Sequence, residues 1–281
     1  MTRRQRQRRR TGRAAAAAGA VLCACLGAGG CSGGDAAAED VRAGDSVEAL
    51  HRAAGRLVAA GSSKARTSVQ MATGGTRVTI RGEGVYDYRQ RLGRLEVLLP
   101  QDPAGSATRR TITELLAPGA LFMKNRGAGV PADKWVRVET RTLSDGNLVT
   151  GGATDPLAAA EVLRGTRTAT YVGRTEVAGT GVRHYRGTAD LAVAAQRASA
   201  GNRASLAAAA KGFATAEVPF DAYLDDQGRV RKVRHRFSFV NGRGRSPLAV
   251  ASTTLLYDFG APVEVRLPDG DDIYAGRIAE E

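Results

Sequence analysis

Cysteine is absent beyond position 31: the three cysteines of the 281-residue chain are Cys23, Cys25 and Cys31. No disulfide can staple the 250 residues after Cys31, which excludes a small disulfide scaffold. Lysine occurs five times and histidine three times, and no lysine completes a glycine-rich phosphate loop. Gly127-Ala128-Gly129 and Gly242-Arg243-Gly244 lack a third glycine and a strand-to-helix context. No Gly-x-Ser-x-Gly occurs, and no two of His51, His184 and His235 stand at metal-ligand spacing. Leu, Ile, Val and Phe together number 56, near the lower edge for a globular domain. The core is therefore lean, and a polytopic membrane protein, a collagen and a coiled coil are excluded.

The charge is less informative than it looks. The formal net charge is +13, yet Arg3, Arg4, Arg6, Arg8, Arg9, Arg10 and Arg13 fall in an opening stretch without one acid. A chain starting at Cys31 carries 34 basic and 28 acidic groups, a mildly basic surface that calls for no nucleic-acid partner.

That opening reads as an export signal, because the cationic stretch is followed by seventeen uncharged, mostly small residues, Ala14 to Gly30. It is too short and too weakly apolar to span a bilayer. The expected organisation is a signal peptide over 1–30, a flexible tether over 31–45 and a single domain over 46–281. A mature chain whose sole thiol is its first residue resembles a bacterial lipoprotein, with Ala28-Gly29-Gly30-Cys31 as the box and Cys31 as the lipidated residue. Leu22-Cys23-Ala24-Cys25 is a rival box, ending at Cys25. Two acyl chains on one residue anchor a protein stably where a single chain is marginal.

Val47, Leu50, Ala54, Leu57 and Val58 have helical spacing, with Asp45 or Ser46 as N-cap and Gly61 beyond the end. The period then changes to two. Val78, Ile80, Tyr86 and Tyr88 share one face of a strand, and Gly82 and Gly84 mark its bend. Leu95, Val97 and Leu99 give the next strand; 121–124 and 134–138 form a further pair. A polar loop over 141–154 precedes Asp155-Pro156, which opens a short helix. Strands resume over 168–177 and 182–188, an Ala-rich helical stretch over 189–212 breaks at Gly201-Asn202, and the remaining strands lie over 218–224, 230–240 and 248–259. Ten or eleven mostly antiparallel strands with three helical insertions make one α+β domain.

The chain resembles the actinobacterial cell-envelope lipoproteins of the LppX/LprG type, within the LolA-like superfamily. The likeness is carried by Leu121-Phe122-Met123-Lys124 with Lys134-Trp135-Val136-Arg137-Val138, by Asp155-Pro156-Leu157, and by Tyr171-Val172-Gly173 with His184-Tyr185-Arg186-Gly187. Val218 to Asp225 with Gly228-Arg229-Val230-Arg231, and Tyr257 to Val263, complete it. It implies a strongly curved, unclosed antiparallel sheet, a half-barrel with helices on its concave side, and an apolar cavity that takes the acyl chains of a lipid or lipoglycan. Phe220-Asp221-Ala222-Tyr223 departs from the family pattern, which often has a Trp there.

Leu95, Val97, Phe122, Trp135, Phe220, Leu224, Phe237 and Phe239 are candidate ligand-binding residues. Periodicity alone fits them equally to a closed core, and only the resemblance makes them cavity lining. The function expected is a lipid-anchored, extracytoplasmic, monomeric binder or carrier of an amphiphile, neither an enzyme nor dependent on a cofactor or metal. The alternative is a structural lipoprotein with a filled core that docks a cell-envelope partner. The basic run Arg229, Arg231, Lys232, Arg234, Arg236, Arg243 and Arg245 is an exposed sheet face or a contact for anionic headgroups or wall polymers. Asp225-Asp226 is read as hairpin-turn chemistry and Asp269, Asp271 and Asp272 as a solvated tail.

Overall fold

The structure is a computed structural model that describes residues 43–73, 76–99, 111–126, 129–149, 153–240 and 247–276. They fall within one compact unit, Glu39–Glu281. The signal peptide, Cys25, Cys31, most of the tether and the arginines 243 and 245 lie outside the described residues.

Helix α1, Ala43–Ala60, buries Ser46, Leu50, Ala53, Ala54 and Leu57, a stripe at helical spacing. Gly61 follows it at φ +86°, where a residue without a Cβ ends the helix. The first meander comprises β1 (Ser62–Thr73), β2 (Thr76–Asp87), β3 (Leu92–Leu98), β4 (Thr111–Ala117), β5 (Ala120–Lys124) and β6 (Trp135–Glu139). A 3-10 turn at Thr140–Thr142 and the segment to Asp155 lead to α2, Pro156–Val162, and a second such turn at Leu163–Gly165. The other meander is β7 (Thr166–Val177), β8 (Thr180–Asp190), β9 (Glu217–Leu224), β10 (Val230–Val240) and β11 (Pro247–Tyr257). Helices α3 (Leu191–Arg197) and α4 (Ala200–Gly212) lie between β8 and β9.

The first strand of one meander pairs with the last strand of the other. The order is β6-β5-β4-β3-β2-β1-β11-β10-β9-β8-β7, with β1 antiparallel to β11 and β6 and β7 at the two edges. This is a single unclosed eleven-stranded antiparallel sheet, curved round its helices, an α+β fold. The long connection from β6 to β7 takes α2 across the hollow side, because two strands at opposite edges are joined over a face of the sheet.

Two local expectations are corrected. Strands β1 and β4 add to those expected from periodicity: β1 turns Ser63, Ala65, Thr67 and Val69 inward, a face too small and polar for the usual alternation. The Ala-rich stretch breaks at Ala198–Ser199 rather than Gly201-Asn202, because the Ser199 backbone N–H and hydroxyl both donate to buried Glu161, at 3.0 and 3.1 Å. Beyond β11 the chain straps the outer face. Val263, Val265 and Leu267 are half-buried between exposed neighbours, Ile273 bridges Trp135 in parallel fashion, and the Tyr274 N–H donates to the Trp135 carbonyl at 2.8 Å.

Candidate functional site

The concave face collects most of the candidates. Leu95 and Val97 from β3, Phe220 and Leu224 from β9 and Phe237 from β10 belong to one core cluster, with Phe239 partly buried against it. Leu95, Val97, Phe220 and Leu224 are 0% exposed and Phe237 3%. Burial at this level contributes about 1.5–3 kcal/mol for each such side chain. The helices packed on this side contribute many small residues, among them Ala158, Ala159 and Ala160 of α2, Ala194 and Ala195 of α3 and Ala209 of α4, interspersed with Leu50, Leu57, Leu157, Leu191 and Leu206.

Phe122 and Trp135 are placed elsewhere. They join Leu115 and Ala120 in a second cluster on the outer face, under Val265, Leu267 and Ile273 of the strap. Sheet parity is the reason: Leu121 and Met123 take the concave side, so Phe122 between them faces out. The signal was in the sequence, since Trp135 shares its parity with Arg137 and Glu139.

The described residues on either side of positions 150–152, namely 143–149 and 153–155, pack into the middle of the hollow. Asp145, Asn147, Leu148, Val149, Ala153 and Thr154 are buried, although the sequence reads as a polar loop. Two of its polar side chains are met locally: the Asp145 carboxylate accepts from the Val149 N–H at 2.6 Å, and the Thr154 hydroxyl donates to the Leu148 carbonyl at 2.9 Å, whereas Asn147 Oδ1 is buried without a partner. It is tied to the sheet through Thr154 and Ser252, whose hydroxyls lie 2.7 Å apart, and through the Ala153 N–H, which donates to Glu114 at 3.2 Å. Asp155 caps α2, accepting from Leu157 and Ala158 N–H at 2.7 and 2.9 Å and from the Tyr86 hydroxyl at 3.1 Å. Burial pushes its carboxyl up to about 6 in spite of those three bonds.

Several polar atoms of this concave centre have no partner: Glu114 Oε1, Thr67 Oγ1, Thr254 Oγ1 and His235 Nε2. Burial drives the Glu114 carboxyl up to about 8 against the opposing Ala153 N–H, and drives the His235 imidazole down to about 3. At neutral pH the concave centre thus presents a protonated acid and a neutral imidazole, with no fixed charge on either.

The remaining candidates scatter. His51 Nε2 lies 3.1 Å from the Thr166 carbonyl oxygen, beside an open cleft of about 580 Å³ between α1 and β7. Asp225 shapes its turn, accepting from the Gln227 and Arg229 N–H groups at 3.1 and 2.9 Å. The basic run divides: Arg229 pairs with Asp225 at 2.8 Å and stacks over Phe259, and Arg231 is buried. Lys232, Arg234 and Arg236 face out with Arg186 and His184. No group of three or more His, Cys, Asp or Glu side chains among the described residues is arranged to hold a metal ion.

No protein-family model and no curated protein sequence matches the chain. Among solved structures it is similar to LprF from Mycobacterium bovis, at 14% identity and a TM-score of 0.42 over 81% of this chain and 98% of that one. It is also similar to the lipoprotein LppX from Mycobacterium tuberculosis, at 10% identity and a TM-score of 0.43 over 78% and 99% of the two chains. A putative outer membrane lipoprotein-sorting protein domain from Vibrio parahaemolyticus matches at 10% identity and a TM-score of 0.32, over 79% and 95%.

Proposed function

We propose that the chain is a non-enzymatic, extracytoplasmic lipoprotein that binds an amphiphile between its helices and the concave face of its sheet. The observation that supports it is the make-up of that interface. Large apolar side chains of β3, β9 and β10 are covered by alanine-rich helices and a polar-anchored loop instead of a second sheet. The alanines of those helices give up little apolar area per residue when they move aside, and an acyl chain would restore the burial of the leucines and of the larger sheet residues. Cys31 would supply the anchor. No helix among the described residues is long and apolar enough to cross a membrane.

A second reading, a lipoprotein with a filled core that docks a cell-envelope partner, is favoured by one observation: four of the candidate lining residues have no exposure at all. Native mass spectrometry of the chain extracted from membranes in mild detergent separates the two. The carrier reading expects a co-purifying acyl lipid; an empty protein would leave the filled-core reading standing. The anchor is tested by metabolic labelling with a fatty-acid analogue. Cys31→Ala is expected to lose the label, and retention of the label would exclude that residue.

A further inference from the structure

We propose that the outer face of β8–β10 around Asp221 is a docking site for the phosphate headgroups of an anionic bilayer, a surface distinct from the hollow and independent of what the hollow holds. Strand register assembles it. Arg186, Asp221 and Arg234 stand opposite one another on adjacent strands, and His184, Tyr223 and Lys232 form the next row on the same face. No single strand carries this pattern: β10 alone reads as a basic ladder, and the neighbours that complete the site are supplied by pairing.

Asp221 organises the cluster. Its side chain is 6% exposed and accepts from His184 Nε2 at 2.9 Å, Arg186 Nε at 3.0 Å and Arg236 Nη2 at 2.6 Å. Burial alone would raise its carboxyl, but these donors outweigh it and bring it down to about 2, so the carboxylate stays ionised at any physiological pH. It grips Arg186 through Nε and Arg236 through one terminal nitrogen, leaving further donors of both guanidinium forks for an outside acceptor. Those two side chains remain 65% and 44% exposed. Arg234, directly opposite the carboxylate, has its Nε buried without a partner.

Four cations, Arg186, Lys232, Arg234 and Arg236, thus surround one carboxylate. They lie on β8 and β10, either side of β9, across roughly 10 Å at the usual strand spacing. That spread meets separate headgroups better than it converges on one ion. Tyr223 adds the amphipathic element: its ring stacks on His184 at 4.3 Å and 8°, with Lys232 Nζ 5.1 Å from its centroid. Half-buried tyrosines beside basic residues suit the headgroup layer of a bilayer. A polybasic surface gains about 1 kcal/mol per Lys or Arg at such a surface, about fivefold in partition for each.

The five lysines of the chain, Lys64, Lys124, Lys134, Lys211 and Lys232, make a self-controlled probe. The full chain is acylated with a small amine reagent, with and without vesicles of phosphatidylglycerol and phosphatidylcholine, and each lysine is read by mass spectrometry. Lys232 is expected to lose about fivefold or more of its labelling on the anionic vesicles, with Lys124 and Lys211 unchanged and no effect from phosphatidylcholine alone. The leader arginines can bring the chain to the vesicle but do not select Lys232. Arg234→Gln, which leaves the three partners of Asp221 in place, is expected to reduce the protection several-fold. Equal labelling of Lys232 and Lys211 on anionic vesicles would overturn the proposal. So would protection of Lys232 by inorganic phosphate or a soluble poly(glycerol phosphate) without protection by vesicles, which would move the site to a free anion or a wall polymer.

Discussion

Gly84→Ala is expected to lower the melting temperature by roughly 8–16 °C, the consequence of about 4 kcal/mol in a domain of this size. Gly84 lies mid-strand in β2, opposite Leu95 of β3 and Ala65 of β1. A Cβ added there would meet the Arg94 carbonyl oxygen at 1.9 Å and the Leu95 Cα at 2.9 Å. Both are backbone atoms of a paired strand, so no side-chain rotation relieves the clash, and the β2–β3 ladder must separate locally. Gly55→Ala is the control of opposite sign. It sits mid-helix in α1 with nothing within 4 Å of its added Cβ, so it is expected to stabilise by about 0.5–1 kcal/mol through helix propensity. Thermal unfolding followed by circular dichroism reads both. A Gly84→Ala protein that melts with the parent would contradict the close packing of β3 on β2.

Much of this fold was legible in the sequence because its signals are local. The capping pair Asp155-Pro156 opens α2, and Gly179 turns the β7–β8 hairpin at φ +74°. The parts that stayed hidden depended on tertiary partners. β1 sits at the centre of the sheet, paired on both sides, so its backbone bonds are made by neighbours whatever its side chains, and its inward Ser63 and Thr67 gave no apolar period to read. The segment over 143–155 has the composition of an exposed connection. The burial of its described residues is helped by local hydrogen bonds through Asp145 and Thr154 and by small Gly146, whose added Cβ would lie 2.1 Å from the Ser205 carbonyl oxygen.

The site divides on the same line. Leu95, Val97, Phe220, Leu224, Phe237 and Phe239 recur at alternate positions with mostly polar residues between them, and their common face followed from parity alone. Phe122 sits in an apolar run where parity offers no choice, and its outward cover comes from a strap more than 140 residues further on. The cluster at Asp221 shows the complementary limit. Each strand discloses its own charges, but only register shows that Arg186 and Arg234 flank the same carboxylate.

Glu114→Gln is expected to remove a pH dependence of stability from the parent. Glu114 is 0% exposed, has one oxygen on the Ala153 N–H and one with no partner, and no cation pairs with it among the described residues. Burial raises its carboxyl from 4.5 to about 8. Between those two values the native chain holds a proton that the unfolded chain has released, so stability falls as pH rises through the window and levels off above it. Two other buried groups titrate below. Asp155, raised from 3.8 to about 6, also loses stability with rising pH, but only up to about 6. His235, lowered from 6.5 to about 3, works the other way: native imidazole stays neutral while the unfolded form protonates, so stability rises with pH up to about 6.5. Above 6.5 the residual titrations of His235 and Asp155 are small and opposite in sign, Glu114 dominates, and the step from pH 6.5 to 8 is expected to cost the parent about 1.5 kcal/mol. Gln keeps the shape and the acceptor for Ala153 while carrying no titratable proton, so urea unfolding of Glu114→Gln should give free energies at pH 6.5 and 8 that agree to within about 0.5 kcal/mol. An equal loss in both proteins would mean that Glu114 is already ionised in the native state, and with it that the concave centre is wet.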